Sequence, residues 1–310
     1  MSSLSIGQIL AVSYSDVLNE KRKPSNQWAE NAFLGELESQ GAIERRSLGP
    51  TIEATLDYKA NPGAQFMATD LDPTSLTKTE VITAASYGIA EIAAPITWSN
   101  KDEVQNPSVN QKVSLVKSLI ENGITSHDDL IEHYIFATST QGFLGFGTHI
   151  TAAGTGSDGG IDSSTETWWR NQQATYVDDT DIEAAFTTVW NACAKGSGSS
   201  LVPTFMVSDG ATQALFEGTQ QALQRYQGQE AKAGFKVLMF KTSRYVFSQY
   251  GGTSVYFGNP KNFKLVVSKE YFRDRKENVP LIGQNGYTTT IYSALQVVTD
   301  NRSRLGVAHL

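Results

Sequence analysis

The 310-residue sequence predicts an α+β fold in which a two-stranded arm and a long helix precede a mixed helix–strand region. Three observations carry that expectation. In residues 51–59, TIEATLDYK, the residues Ile52, Ala54, Leu56 and Tyr58 alternate with Glu53, Thr55, Asp57 and Lys59, the period of a strand with one wet face. Residues 106–138 switch to helical spacing. From about residue 180, capped helical segments alternate with short β-rich runs until the C-terminus.

Residues 24–40 read as a short helix, with Ser25 or Asn26 able to cap it, Trp28, Phe33 and Leu37 as its apolar side and Gly41 as its stop. A second β-rich run, residues 80–98, follows the alternating strand after a connection too long for a tight hairpin turn. Such a strand pair is marginal by itself in water, so the arm is expected to rest on something else. In residues 106–138, Asn106 can cap and Pro107 fits the first helical position, while Val109, Val113, Val116, Leu119 and Ile120 form a stripe. Asn122-Gly123 interrupts it, and Ser126 with Asp129 offers a second capping box, so either one helix bends or two abut. Thr180 and Glu183 suggest a capping box opening a helix that contains Cys193, the single cysteine, as a small core residue. LVPTFMVSD (201–209) reads as a buried strand backed by an amphipathic helix, and FKVLMF, RYVFS, SVYFG, FKLVVS and TTTIYSALQVVTD as closing strands.

The composition is that of an ordered protein, 40% hydrophobic and only 18% charged, which suits a surface partly covered by neighbours. A net charge of −7 argues against general nucleic-acid binding. Residues 241–310 nevertheless hold ten Lys/Arg against four Asp/Glu, net +6, leaving −13 for the rest. The excess lies in Lys261, Lys264, Lys269, Arg273, Arg275 and Lys276, either a solvated face or a patch that meets an acidic surface on a second copy. The N-terminal residues lack the pattern of a secretory signal and no segment has the length of a membrane span, so cytoplasmic synthesis without a membrane partner is expected.

Chemistry is scarce. Gly154, Gly156 and Gly159 satisfy G-x-G-x-x-G, with Asp178 and Asp179 about twenty residues on, but no helical pattern follows to face a pyrophosphate. Asp129 and His133 are spaced i, i+4 near His127, yet read more readily as a helix-face pair than as metal ligands. His149 has no evident partner in the sequence, and Asp70 with Asp72 is too small a set for a calcium loop. No catalytic, cofactor or metal site is expected. The conspicuous stretch is GGIDSSTETWWRNQ (159–172), which places two tryptophans in a segment without helical or strand pattern; so much aromatic mass must bury against a ligand, the chain's own core or another subunit.

In its order of parts, the chain resembles the major capsid proteins of tailed bacteriophages with the Hong Kong 97-type fold. The likeness covers essentially the whole length and is carried by GGIDSSTETWWRNQ, QALFEGTQQALQRY, YFGNPKNFKLVV and TDNRSRLGVAHL. It implies an N-terminal arm over 1–50, an extended loop over 51–98, and a peripheral domain over 99–179 whose spine helix spans 106–138. It further implies an axial domain over about 180–275 and closing strands over 276–310 that return to the peripheral domain. The extended loop would lie over an adjacent subunit, making Tyr58, Lys59, Phe66 and Met67 contact candidates together with Lys269, Arg273 and Arg275 of the basic patch. Trp168 and Trp169 would anchor the crossing between domains, and Arg170 would pair with a carboxylate within the subunit or across a boundary. The implied function is a structural one, self-assembly as pentamers and hexamers into an icosahedral virion shell around double-stranded DNA, without sequence-specific binding. Assembly in the host cytoplasm with a portal protein, a separate scaffolding protein and possible decoration proteins goes with it. An encapsulin-like compartment shell and a soluble nucleotide-binding α+β enzyme are the alternatives. The stretch between Ser243 and Phe257 is short for the family, and no partner for a Lys59 crosslink is identifiable.

Overall fold

Strand β17 (Gly286–Thr299) is the longest strand and organises the first of two six-stranded sheets. Along its length it pairs antiparallel with β4 (Ala90–Ser99), from Gly286↔Ser99 to Leu295↔Ala90, and with β14 (Phe263–Ser268). β15 (Asp274–Arg275) and β16 (Val279–Pro280) add to β17, while β1 (Ile43–Arg46) runs parallel beside β14. The computed structural model describes residues 5–10, 13–14, 31–61, 63–64, 66–67, 80–106, 108–195, 201–226 and 238–310. Ser25, Asn26, Trp28, Asp70, Asp72 and Pro107 lie outside them.

The predicted β-run at 80–98 is two strands. β2 (Thr51–Asp57) pairs with β3 (Ile82–Gly88) in a ribbon of seven residue pairs, and the chain leaves that ribbon at Ile89 to enter β4. Burial along β4 alternates without exception, because one of its faces packs on the spine helix. This core joins Ala94, Ile96 and Trp98 of β4 to Val116, Ile120 and Ile124 of the helix, and to Ile6, Ile9, Leu10 and Tyr14 of the N-terminal segment.

Helix α1 (Ala32–Ser39) stops at Gly41, whose φ of +74° suits glycine. After the short α2 (Asn100–Gln105), the spine helix α3 (Val109–Ile135) is continuous for 27 residues. Its cap is Ser108 in a capping box with Gln111, not Asn106, and Asn122-Gly123 does not break it. Gly123 is a place of close approach: a Cβ there would stand 2.9 Å from Ile96 Cγ1. The buried stripe runs through Val116, Ile120, Ile124, His127, Ile131 and Ile135, whereas Val109 and Val113 of the expected stripe face solvent. Periodicity gave the helix but set its wet first turns in the wrong face, because Val109 and Val113 are exposed rather than packed into the core of the described residues.

The second sheet has the order β11 (Leu238–Phe240), β12 (Ser243–Phe247), β10 (Phe205–Ser208), β13 (Val255–Gly258), β18 (Gly306–His309), β9 (Gln172–Thr175). Helix α4 (Phe146–His149) precedes it in the chain, and α5 (Ile182–Cys193) and α6 (Gly210–Tyr226) accompany it. Phe186, Phe216, Phe240, Tyr245 and Phe257 form its aromatic core. Asp181, not Thr180, precedes α5, and its carboxylate turns back to the Val177 and Asp178 amides. Cys193 is fully buried there, and burial pushes its thiol well up from the usual range. Phe205 and Val207 of β10 share a core with Leu265 and Val297 of the first sheet, which welds the two sheets. β14 and β15 belong to the first sheet and β18 to the second, so sheet membership cuts across the sequence spans 180–275 and 276–310.

The basic patch largely dissolves on folding. Arg273 is not a surface residue: it is 2% exposed, and its Nη2 donates to Asp128 Oδ1 and Oδ2 at 2.6 and 2.7 Å. Asp128 also accepts from His127 Nδ1 at 3.0 Å, and His127 Nε2 meets Ser293 Oγ at 2.8 Å. Lys264 pairs with Asp300 at 2.8 Å, Lys276 with Asp274 at 2.8 Å, and half-buried Arg275 donates to Asn278 at 3.1 Å. Lys269 remains exposed. Replacing Arg273 by Ala strands a buried carboxylate and should cost about 3–5 kcal/mol, whereas Arg170→Ala should cost about 1 kcal/mol or less. Denaturant midpoints of the two variants check this; equal, small losses would put Arg273 back at the surface.

Candidate assembly interface

The β2–β3 ribbon does not stand unsupported. On its inner face Ile52, Ala54, Leu56, Ala85 and Tyr87 are buried, against Trp169, Val266 and Val298 of the same chain. The expectation that only a neighbour could carry the arm therefore needs correcting for its base, because the body supplies a matching apolar surface. The segment with the two tryptophans makes that surface. β7 (Ser157–Asp158) and β8 (Ile161–Asp162) form a hairpin closed by Gly159 and Gly160 at φ +59° and +81°, the turn that two left-handed residues allow. The glycine motif is thus turn chemistry: the second strand of the hairpin, not a helix, follows Gly159 and Gly160.

That hairpin presses on the ribbon. Gly159 O accepts from the Ser86 amide at 3.0 Å, and a Cβ on Gly159 would come within 2.6 Å of Ala85 Cβ. Trp169, in the short 3-10 turn Thr167–Trp169, is 1% exposed, and its indole N–H donates to Asp158 O at 3.1 Å. Tyr87 donates its hydroxyl proton to Thr299 O at 3.2 Å, and burial pushes its pKa far up, aided by Asp158. Gln296, fully buried on β17, donates to Gly88 O and Gly142 O, both at 2.7 Å, and accepts from the Leu144 amide at 2.9 Å. It ties the ribbon's exit to the first sheet.

Beneath the hairpin lies Arg302, also fully buried. Its Nε donates to His149 O at 2.7 Å and its Nη1 to Gly156 O at 3.0 Å and Ser163 Oγ at 2.9 Å. Burial draws its pKa down, and Asp158 opposes that shift. His149 has a partner after all, Asp158 Oδ2 at 3.0 Å from Nδ1.

The remaining site residues divide between clamp and periphery. Trp168 is half-buried, stacked on Tyr58 at 4.9 Å, with its indole N–H on Glu166 at 2.6 Å. Arg170 does not pair with a carboxylate among the described residues; it donates to Ser163 O and Ser164 O at 3.0 and 3.2 Å, holding the loop closed. Lys59 is exposed, and at the far end Phe66 is fully exposed and Met67 46% exposed. Asp129 accepts from Tyr250 Oη at 2.5 Å and from Gln249 at 3.2 Å, while His133 stacks on Tyr134 and packs tilted against Tyr250. Among the described residues no three such side chains gather to hold a metal, and no helix is long and apolar enough to cross a membrane.

Sequence reasoning missed Gln296, Tyr87 and Arg302, polar groups in apolar or unpatterned context. The hairpin had a legible signal, Asp-Gly-Gly between short β-capable residues. Trp169→Ala should cost about 3–5 kcal/mol, and Trp168→Ala about 1 kcal/mol from the lost stack, both read from urea unfolding. Equal costs would mean that the buried ring does not anchor the ribbon.

No sequence-family model matches the chain, and no curated protein matches it in sequence. Solved structures do match it in shape. A subunit of the cyanophage A-1(L) capsid aligns over 88% of this chain and 92% of that one at a TM-score of 0.59 and 14% identity. The capsid of an empty GTA particle aligns over 86% and 87% at 0.60 and 9% identity. An encapsulin complex from Synechococcus elongatus aligns over 88% and 86% at 0.53 and 7% identity. Aligned over most of its length with these capsid subunits at TM-scores above 0.5, the chain has the Hong Kong 97-type capsid fold.

Proposed function

We propose that this protein is a major capsid protein, a structural subunit rather than an enzyme, whose copies close as pentamers and hexamers into an icosahedral shell around phage double-stranded DNA. The observation that carries the reading is the ribbon: its base is fixed to the body while Phe66 and Met67 at its far end are held out in solvent. An apolar tip on a rigid stem costs free energy in a free subunit and regains it when a neighbour covers it. The likeness in shape to phage and GTA capsids supports the same conclusion. Residues 51–88 would be the extended loop, with β4, included in the 51–98 span expected from the sequence, belonging to the first sheet instead. Helix α3 would be the spine of the peripheral domain, and the second sheet much of the axial domain at the symmetry axes. Trp168 and Trp169, just before β9 enters that sheet, would anchor the crossing between domains.

Each contact between neighbours can be modest, because a closed shell repeats it over many symmetry-related copies. A portal protein, a separate scaffolding protein and decoration proteins would be its partners, with assembly in the host cytoplasm and the mature protein in the virion. The second reading, a compartment shell enclosing an enzyme, is favoured by the encapsulin likeness, at a lower TM-score than the phage and GTA capsids. Electron microscopy of the purified protein should show closed particles or capsomer rings. Phe66→Asp should abolish them while leaving the unfolding midpoint of the subunit unchanged; a monodisperse small oligomer in the wild type would refute the proposal.

A further inference from the structure

At the border between the ribbon's fixed base and its free end lies a cleft of about 370 Å³. One wall is the stacked pair Tyr58 and Trp168, and Ile82, 60% exposed, adds apolar surface. Glu80, Asp162 and Glu166 also line the cleft, all exposed and none in an ion pair among the described residues. Ser164 amide and hydroxyl groups hold the Asp162 carboxyl below its usual range, so it is charged. Among the described residues no cation supplies the balance: Lys59 does not line the cleft, and Arg170 is spent on the Ser163 and Ser164 carbonyls behind the loop.

Three carboxylates beside an aromatic wall fit a long-stemmed cation, whose methylenes pack on the rings while its ammonium meets the oxygens. The same chain carries such groups. Within the basic stretch 261–276, Lys264, Arg273 and Lys276 are paired and Arg275 is folded onto Asn278, but Lys261 and Lys269 are exposed and in no ion pair among the described residues. We infer that this cleft is the socket for a lysine of a second copy, Lys261 or Lys269 at the two ends of β14, so that one subunit holds its neighbour's ribbon at the point where its fixed base ends.

The inference rests on the shell reading, and one sample separates the two. Assembled particles, first imaged by negative stain, are treated with a water-soluble carbodiimide, which joins a carboxylate to a lysine only in direct contact. Covalent dimers and larger ladders are expected on a denaturing gel, with peptides joining Glu80, Asp162 or Glu166 to Lys261 or Lys269. Lys261→Arg with Lys269→Arg should keep the particles and their charge but abolish those links, since arginine does not couple. Glu80→Gln with Asp162→Asn and Glu166→Gln should abolish them too. Particles whose links avoid these three carboxylates, or persist in the triple variant, overturn the socket while the shell stands. A wild type that forms no particles or capsomers overturns both.

Discussion

The burial of Trp169 between the ribbon and the body is the contact on which the rest depends. Its ring shares one buried cluster with Ile52, Ala54, Leu56 and Tyr87 of the ribbon, and its N–H is satisfied by the backbone of the hairpin that presses on the ribbon. Without that surface, seven strand pairs with one apolar face would be a marginal element in water. With it, the ribbon is an extension of the first sheet's core, and its direction is set before any neighbour arrives. In the polar layer below, Arg302 donates to the His149 carbonyl and His149 pairs with Asp158, while His149 Nε2 and Asp158 Oδ1 have no hydrogen-bond partner among the described residues.

This arrangement divides labour along one element. The base, from Thr51 to Asp57 and from Ile82 to Gly88, has its hydrophobic partners inside the chain. Beyond it, Phe66 is fully exposed and Met67 about half exposed. Tyr58 and Trp168 mark the boundary with a half-exposed stack. A rigid stem lowers the entropy lost when the tip docks, which is how preorganisation strengthens association without new contacts.

Much of this was legible in the residues. Strict alternation gave β2, helical spacing gave the spine, and the order of parts gave the fold. The adjacent tryptophans pointed to burial, although not to the surface they would bury. What could not be read was long-range. The basic cluster near residue 270 looked like a surface patch because Asp128, the partner that buries Arg273, lies 145 positions away. Gly123 looked like a break because the Ile96 side chain it accommodates belongs to another element. The Gly-x-Gly-x-x-Gly spacing suggested phosphate binding in form only, and its glycines serve a tight turn and a close approach. In each case a local pattern was real and its cause lay in a distant contact.

Amide hydrogen exchange on the unassembled subunit tests the central claim most directly. If Trp169 and the hairpin lock the ribbon's base to its own body, amides of residues 51–57 and 82–88 are protected before assembly, and those of Phe66 and Met67 exchange rapidly until neighbours join. Rapid exchange across 51–57 and 82–88 in the free subunit, with protection of the base only in particles, would contradict it.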